Sequence, residues 1–576
     1  MDRFGKRSTR ALAGVIVIGV LALTGCGSDP ITTGTRPHAG EAPAGATFDR
    51  TPIPLTQIPG YTPPGRTDDG RATRPLLGTS GEISWQVFNQ DSIPLTDYSA
   101  PQPVSWGDPS DYTSIPGVLA WRGNNARTAP TYGQANLTEK KMSIAWTHDI
   151  GAVAAEGSYF PGAGWTGQPL LVNWPQATKA AMGLSAAQTA DPSFTEVIYP
   201  VFDGHVYRLD LATGQETKPP MEGQWGFKGT GSIDPRGYPL LYAGQGLNQD
   251  GARSGPFEYR IFDLIQNKQV AHISGTDEVS GRKDPTGWGA FDSSALVDAH
   301  TDTLVEPGEN GVIYQAKLNA SFDPAAKTVS VDPSITKMTY RHPYAFQYGI
   351  ESSTSAWKNL MYAGDNDGNL ICWDATTLQI VWARQLSFGN DSDTTPTLGV
   401  ENGRPYLYTG TSVAESGVQR QGQVAHLVKV DGLTGDVVWD HTVPTMFDFH
   451  VKGGVLATSL LGKGEVGDLV FYNVGRTTAP SEGTLLALDR VTGAVAWSRS
   501  LSKYSWSSPV LVSGTDGHQY GVFGDSDGVL HLFNPVDGRD YSTLSLGKNI
   551  EASVAVYNNM LVVASYNQKI YGIKLS

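Results

Sequence analysis

The stretch Leu488-Asp489-Arg490-Val491-Thr492-Gly493-Ala494-Val495-Ala496-Trp497 decides the fold of this chain. An apolar strand runs into an aspartate, a Thr-Gly pair turns the backbone, and a second strand closes in tryptophan. The Asp and Thr side chains can hydrogen-bond the turn's own backbone, and the Gly takes the positive φ that the turn needs. The same grammar recurs at Val430-Asp431-Gly432-Leu433-Thr434-Gly435, closing in Trp439, and at Trp373-Asp374-Ala375-Thr376-Thr377, closing in Trp382. Weaker copies centre on Asp210, Asp263, Lys317, Asn534 and Lys574, so that the anchors lie 40 to 58 residues apart. Upstream of the anchors, Asp203-Gly204, Asn310-Gly311, Asp367-Gly368 and Asp527-Gly528 are tight hairpin signals. One repeat is therefore four short antiparallel strands, and a period of about fifty residues means propeller blades.

The last copy, Ile570 to Leu575, stops where its outer Trp strand should follow, and an orphan strand, Ser143-Ile144-Ala145-Trp146, precedes the first full repeat. Pairing the two completes a blade and removes an exposed edge. The expectation is an all-β, eight-bladed propeller over residues 119–576, its last blade closed by the N-terminal strand. The composition agrees: 67 Gly, 36 Pro and 56 aromatic residues, with only 17% charged, describe a turn-rich β protein with ample core. A net charge of −14 argues against nucleic-acid binding. Two cysteines exclude a disulfide framework and a cysteine zinc site, and Cys372, in mid-strand, reads as a small buried hydrophobe.

The N-terminus carries an address. Arg3, Lys6, Arg7 and Arg10 precede an apolar run, Ala11 to Ala22, too short to span a bilayer. The run ends in Leu23-Thr24-Gly25-Cys26, which resembles the bacterial lipobox. This implies a signal peptide over 1–25 and a mature chain lipidated at Cys26, exported and held at the outer face of the cytoplasmic membrane. Residues 26–74, rich in Pro, Gly and Thr, read as a flexible stalk. Residues 75–118, with Trp85, Phe88, Tyr98 and Trp106, read as an ordered arm lying on the propeller.

The Leu-Asp-x-x-Thr-Gly-x-x-x-Trp pattern resembles the tryptophan-docking motif of the PQQ-like β-propeller repeats, shared by quinone-dependent dehydrogenases and BamB-type assembly lipoproteins. Trp121-Arg122-Gly123-Asn124-Asn125-Ala126-Arg127-Thr128 resembles the start that such propellers often have. The dehydrogenases of that family imply pyrroloquinoline quinone, calcium and a vicinal disulfide, but this chain has no Cys-Cys pair and no Cys-x-x-Cys-His haem site. BamB-type proteins imply outer-membrane assembly but are shorter, without stalk and arm. Segments such as Trp288 to Ser294 and Ser232 to Pro239 are similar to those of Gram-positive surface proteins, which implies a single-membrane envelope.

Aligning the loops before each innermost strand gives one column at the channel mouth: Thr166, Gly229, Asp292, Glu351, Asp393, Lys452, Trp506 and Glu551, with Trp165, Lys228, Trp225, Trp288, Phe291, His342, Asp391, Phe449 and His450 beside it. Convergent carboxylates among aromatics suit a cation, a sugar or an amine, or a divided acid–base pair; a solvated rim is the plain alternative. Asp365-Asn366-Asp367-Gly368 and Asp525-Ser526-Asp527-Gly528 read as hairpin turns rather than calcium loops, for want of the later glutamate. No nucleophile elbow, zincin motif or phosphate loop is present. The expectation is a monomeric, non-catalytic, lipid-anchored binding or scaffold protein, with an envelope protein or wall glycan as partner and no required cofactor. A PQQ-dependent oxidoreductase, in which the acids could also hold calcium, and a glycan-acting enzyme using the acidic funnel stand as alternatives.

Overall fold

The computed structural model describes residues 49–576 apart from 156, 165–166, 281–286, 346–348 and 448–451. It is built of small antiparallel sheets on one plan. In the sheet over residues 355–385, the strands Ser355–Trp357, Leu360–Gly364, Asn369–Asp374 and Gln379–Gln385 pair in sequence order. The plan recurs over 170–222, 232–274, 296–341, 397–444, 460–501 and 510–545. The turn between second and third strands is held by its Asx residue: Asp365 Oδ1 accepts from the amides of Asp367 (3.0 Å) and Asn369 (2.8 Å), and Asp525 Oδ1 from those of Asp527 and Val529. The calcium-like sequences are thus hairpin turns, their carboxylates spent on backbone N–H groups.

At the chain's end, Ala555–Tyr557, Met560–Ser565 and Lys569–Leu575 are completed by the N-terminal strand Met142–Asp149, which pairs antiparallel with Lys569–Leu575 in the register Gly572↔Trp146. Trp146 then reaches forward. Its indole Nε1 donates to Leu211 O (2.8 Å), in the turn of the sheet over 170–222, so the last sheet docks on the first.

Three other tryptophans dock the same way on the following sheet: Trp382 on Gly432 O, Trp439 on Arg490 O and Trp497 on Pro535 O, each at 3.1 Å. A buried indole N–H needs such an acceptor. The turn glycine is required twice over. Gly493 has φ +71°, and a Cβ there would lie 2.7 Å from the ring of Trp439. Where the tryptophan is missing from the repeat, Arg208 makes the stitch, its guanidinium paired with Glu196 and donating to Leu264 O of the next sheet.

Residues 75–118 do more than lie on the surface. Glu82–Phe88 pairs with Ser334–Arg341, and Ala72–Leu77 pairs in parallel with Gln379–Gln385, so one hairpin joins two outer edges into a continuous 12-stranded sheet. Ile83, Trp85 and Val87 alternate into the core beneath it. The stalk reading needs correction from Asp49 onward. Ile58 is buried, Ile53 N donates to Asn359 Oδ1 (2.7 Å), Arg50 pairs with Asp298 (3.1 Å), and Arg71 and Arg74 are buried against backbone carbonyls. Mean composition hides these few well-placed anchors. The signal peptide, Cys26 and the first part of the stalk lie outside the described residues.

Between arm and first sheet, the chain from Gly117 to Ala135 threads across the innermost strands. Arg122 and Arg127 are fully buried there, donating to the carbonyls of Pro509, Thr354 and Ser294, and burial lowers both pKa values, to about 9 and about 10. Cys372 is fully buried in its strand, where burial raises its thiol pKa.

If Trp146 is the clasp between last and first sheets, Trp146→Ala should cost about 3–5 kcal/mol, the usual loss for a buried aromatic, and Trp146→Phe clearly less. Urea denaturation of the full chain measures both. A parental midpoint for Trp146→Ala would remove Trp146 from this role.

Candidate functional site

The residues just before each innermost strand are small and hydroxylated, and they form a belt. Ser294 N donates to Ser353 Oγ (2.9 Å), Ser353 N to Thr395 Oγ1 (3.1 Å), Thr458 N to Ser508 Oγ (2.9 Å) and Ser508 N to Ser553 Oγ (2.9 Å). Gln168 N donates to Thr230 Oγ1 (2.8 Å), and Ser553 N to Gly167 O (2.9 Å). Neighbouring strands are thereby fixed in register, which holds the preceding residues on a common level.

Asp292, Glu351 and Asp393 do converge. With Trp121, Gly229 and Thr230 they line a cavity of about 20 Å³, room for one water or a bare ion. Lys228 Nζ lies 2.6 Å from Asp292. Lys452 pairs with Asp391 and stands 3.8 Å from Asp393. Both oxygens of Asp393 lack a hydrogen-bond donor among the described residues, although the side chain is only 4% exposed. Glu351 accepts from Asn366 Nδ2 (3.0 Å), delivered by the hairpin turn at Asp365–Gly368.

Sequence reasoning missed Glu309. It precedes the Asn310-Gly311 hairpin, takes a bond from Trp288 Nε1 (2.6 Å), and brings a carboxylate oxygen into one group with Asp292 and Glu351, all within 4.8 Å. The residue before the Asp367-Gly368 hairpin, Asn366, likewise reaches the cage, through Glu351. Glu551 departs from the column. Its carboxylate accepts from Asn549 Nδ2 (2.9 Å) and Tyr566 OH (2.5 Å) and does not line the cavity. Trp506 is buried against Tyr504 (5.6 Å between rings), in a packing role. Trp165, Thr166, Phe449 and His450 lie outside the described residues. His342 is buried, 3.5 and 3.6 Å from Asp365 and Asp367. Burial works against its charge, but the two aspartates outweigh it and raise its pKa, so it braces the turn that carries Asn366.

The electrostatics follow from burial. Desolvation and then Asp393 raise Glu351 to about 7; desolvation and then Asp391 raise Asp393 to about 7; Asp391 itself rises to about 6 by burial, restrained by Lys452. Burial, Glu351 and Asp292 push Glu309 well above the carboxylate range. Burial opposes the charge of Lys228 and Lys452, but the surrounding carboxylates prevail and keep both protonated. Five carboxylates thus share two ammonium groups.

Residues 345–510 match the family profile described as outer membrane protein assembly factor BamB. Two quinohemoprotein alcohol dehydrogenases superpose over 80% of this chain and 80% of their own: ADHIIG from Pseudomonas putida HK5, with 10% identity and a TM-score of 0.53, and the enzyme from Comamonas testosteroni, with 14% and 0.51. The chain has a β-propeller fold, with PQQ-type repeats over residues 345–510. BamB from Moraxella catarrhalis is 19% identical over 66% of this chain and 93% of its own, with a TM-score of 0.44. No curated protein matches the sequence. The repeat's namesake does not fit this propeller's axis. Among the described residues, the cavity at the acids, about 20 Å³, is smaller than a three-ring quinone.

Carboxyl pKa values raised from about 4 toward 6–7 mean that the folded state holds more protons than the unfolded state between roughly pH 4 and pH 7. Stability from these groups is therefore present at the acid end and lost as pH rises through their folded pKa values. In the presence of a chelator, the melting temperature of Asp393→Asn should gain on the parent as pH rises from about 5 to about 8. A gap independent of pH would mean that Asp393 is ionised throughout.

Proposed function

We propose that this chain is a non-catalytic binding propeller of the bacterial envelope, and that the acidic cage on its axis holds a small cation. The observation that carries the reading is the buried carboxylate of Asp393, without a hydrogen-bond donor among the described residues, facing an ion-sized cavity shared with Asp292 and Glu351. A cation there would displace the protons that burial holds on these acids, and would tie adjacent sheets together at their inner edge. Binding rather than turnover is supported by the same volume, which has no room for a substrate beside the acids. We count the repeated sheets as eight blades, the last closed by Met142–Asp149. The lipobox-like Leu23-Thr24-Gly25-Cys26 supports an anchor at Cys26 and a place on the outer face of the cytoplasmic membrane.

Thermal melting of the full chain with and without calcium, magnesium or manganese tests the cage. A cation at a hundred times its dissociation constant should add about 2.7 kcal/mol, and Asp292→Asn with Glu351→Gln should abolish the gain. No shift with any of these ions, or the same shift in the double variant, would leave the acids as an internally paired cluster. The anchor has its own test. Cys26→Ala should release the protein from the membrane fraction or leave it as an uncleaved precursor; a processed protein retained without lipid would refute lipidation.

A further inference from the structure

A cleft opens at the end of the sheet over 296–341 opposite the Glu309 turn, where the arm roofs it. It holds about 640 Å³, well within the ~300–1,000 Å³ of small-molecule sites. Its floor is one face of that sheet. Residues two apart share a face, so Thr303 faces with Lys317 and Ser334, and Val305 with Gln315 and Thr336. Toward the axis this face is ordinary core, with Val305, Ile313 and Met338 fully buried. Toward the arm it turns to amides and hydroxyls, roofed by Asn89, Gln90 and the segment Tyr98–Gln102.

Packing does not account for that change. Gln315 lies in mid-strand and is only 4% exposed, yet its Oε1 has no hydrogen-bond partner among the described residues. Buried amides are ordinarily paired, and each unpaired one calls for an explanation. Gln315 lines the cleft, so a guest there is the partner its amide lacks.

The lining states the guest's chemistry. Amides and hydroxyls both donate and accept, as a ligand with many hydroxyl groups demands. Tyr98 supplies one apolar platform. Among the described residues no carboxylate lines the cleft, which disfavours a cation. Lys317, the one cationic side chain among the described lining residues, already donates to Thr301 O (2.7 Å) and stands 3.5 Å from Asp302, which disfavours a multiply charged anion. We infer that this cleft between arm and sheet is a binding site for a short, neutral oligosaccharide. The site is separate from the axial cage, and neither reading depends on the other.

Calorimetric titration of the full chain with neutral trisaccharides of glucose, mannose and N-acetylglucosamine tests the inference, with a neutral tetrapeptide and inorganic phosphate alongside. At least one trisaccharide should bind. Gln315→Leu, which keeps the volume but removes the amide, should weaken it at least about tenfold, a loss of 1.4 kcal/mol in binding. Tyr98→Ala, in a partly buried segment of the arm outside the strands, should do the same and keeps the test open should the strand variant fail to fold. Circular dichroism and melting report the fold of each. No saccharide binding at millimolar concentration, equal binding by parent and Tyr98→Ala, or binding of the peptide or phosphate alone would overturn it.

Discussion

The structure depends on one contact: an indole from one sheet laid on the aspartate–glycine turn of the next. A four-stranded sheet of this size buries too little on its own to stand in water. Its faces must be covered by neighbours, and something must set how far each sheet is rotated against the last. The tryptophan does both. Its ring covers the turn glycine, and its N–H satisfies a turn carbonyl that would otherwise be buried without a donor. The turn is prepared for it by its own aspartate, as where Asp489 Oδ1 accepts from Val491 N (3.0 Å) and Thr492 N (2.8 Å). Because the last indole belongs to a strand from the other end of the chain, the final contact also ties Met142–Asp149 to both termini of the repeat array.

That interaction is local in sequence on one side and periodic on the other, which is why the fold was legible. Asp, Thr, Gly and Trp stand at constant spacing because a turn and a strand of fixed length separate them. The hairpin turns were legible for the same reason: an Asx residue bonding the amides two and four positions on leaves its mark in four consecutive letters. The arm was not. Its alternating Ile83, Trp85 and Val87 announce a strand, but nothing in them names the two sheet edges, some 250 to 300 residues away, that the hairpin joins. The ordered part of the proline-rich segment escaped for a related reason. Ile58 and Arg74 are single anchors whose partners sit on distant strands, and mean composition averages them away.

The candidate site was half legible. Aligning loops ahead of the inner strands places backbone positions on one level, and the hydroxyl belt shows why that alignment holds in three dimensions. It does not fix where a side chain turns. Asp292, Glu351 and Asp393 turn inward because their sheets are adjacent and Lys228 and Lys452 stand among them. Glu551 occupies the same level but finds Asn549 and Tyr566 within reach, and stays with them. Glu309 came from a different loop of its sheet and so belonged to no column.

The arrangement of charge on the axis bears on why the acids are there at all. Burying a carboxylate is costly, and a buried pair is seldom a net source of stability. A propeller can fill its channel with apolar side chains, and this one has the means, since the segment from Gly117 to Ala135 already crosses the innermost strands with Leu119, Trp121 and Ala126 fully enclosed. Keeping five carboxylates and two lysines above that floor makes the axis costlier than an apolar core. The two buried arginines of the segment point the same way. Arg122 and Arg127 spend their hydrogen bonds on strand carbonyls, which fixes the floor without neutralising the cage. The ring is thus closed by tryptophans at its outer edge and stiffened by arginines beneath its centre. The acids whose pKa values burial raises are gathered around a space the size of an ion.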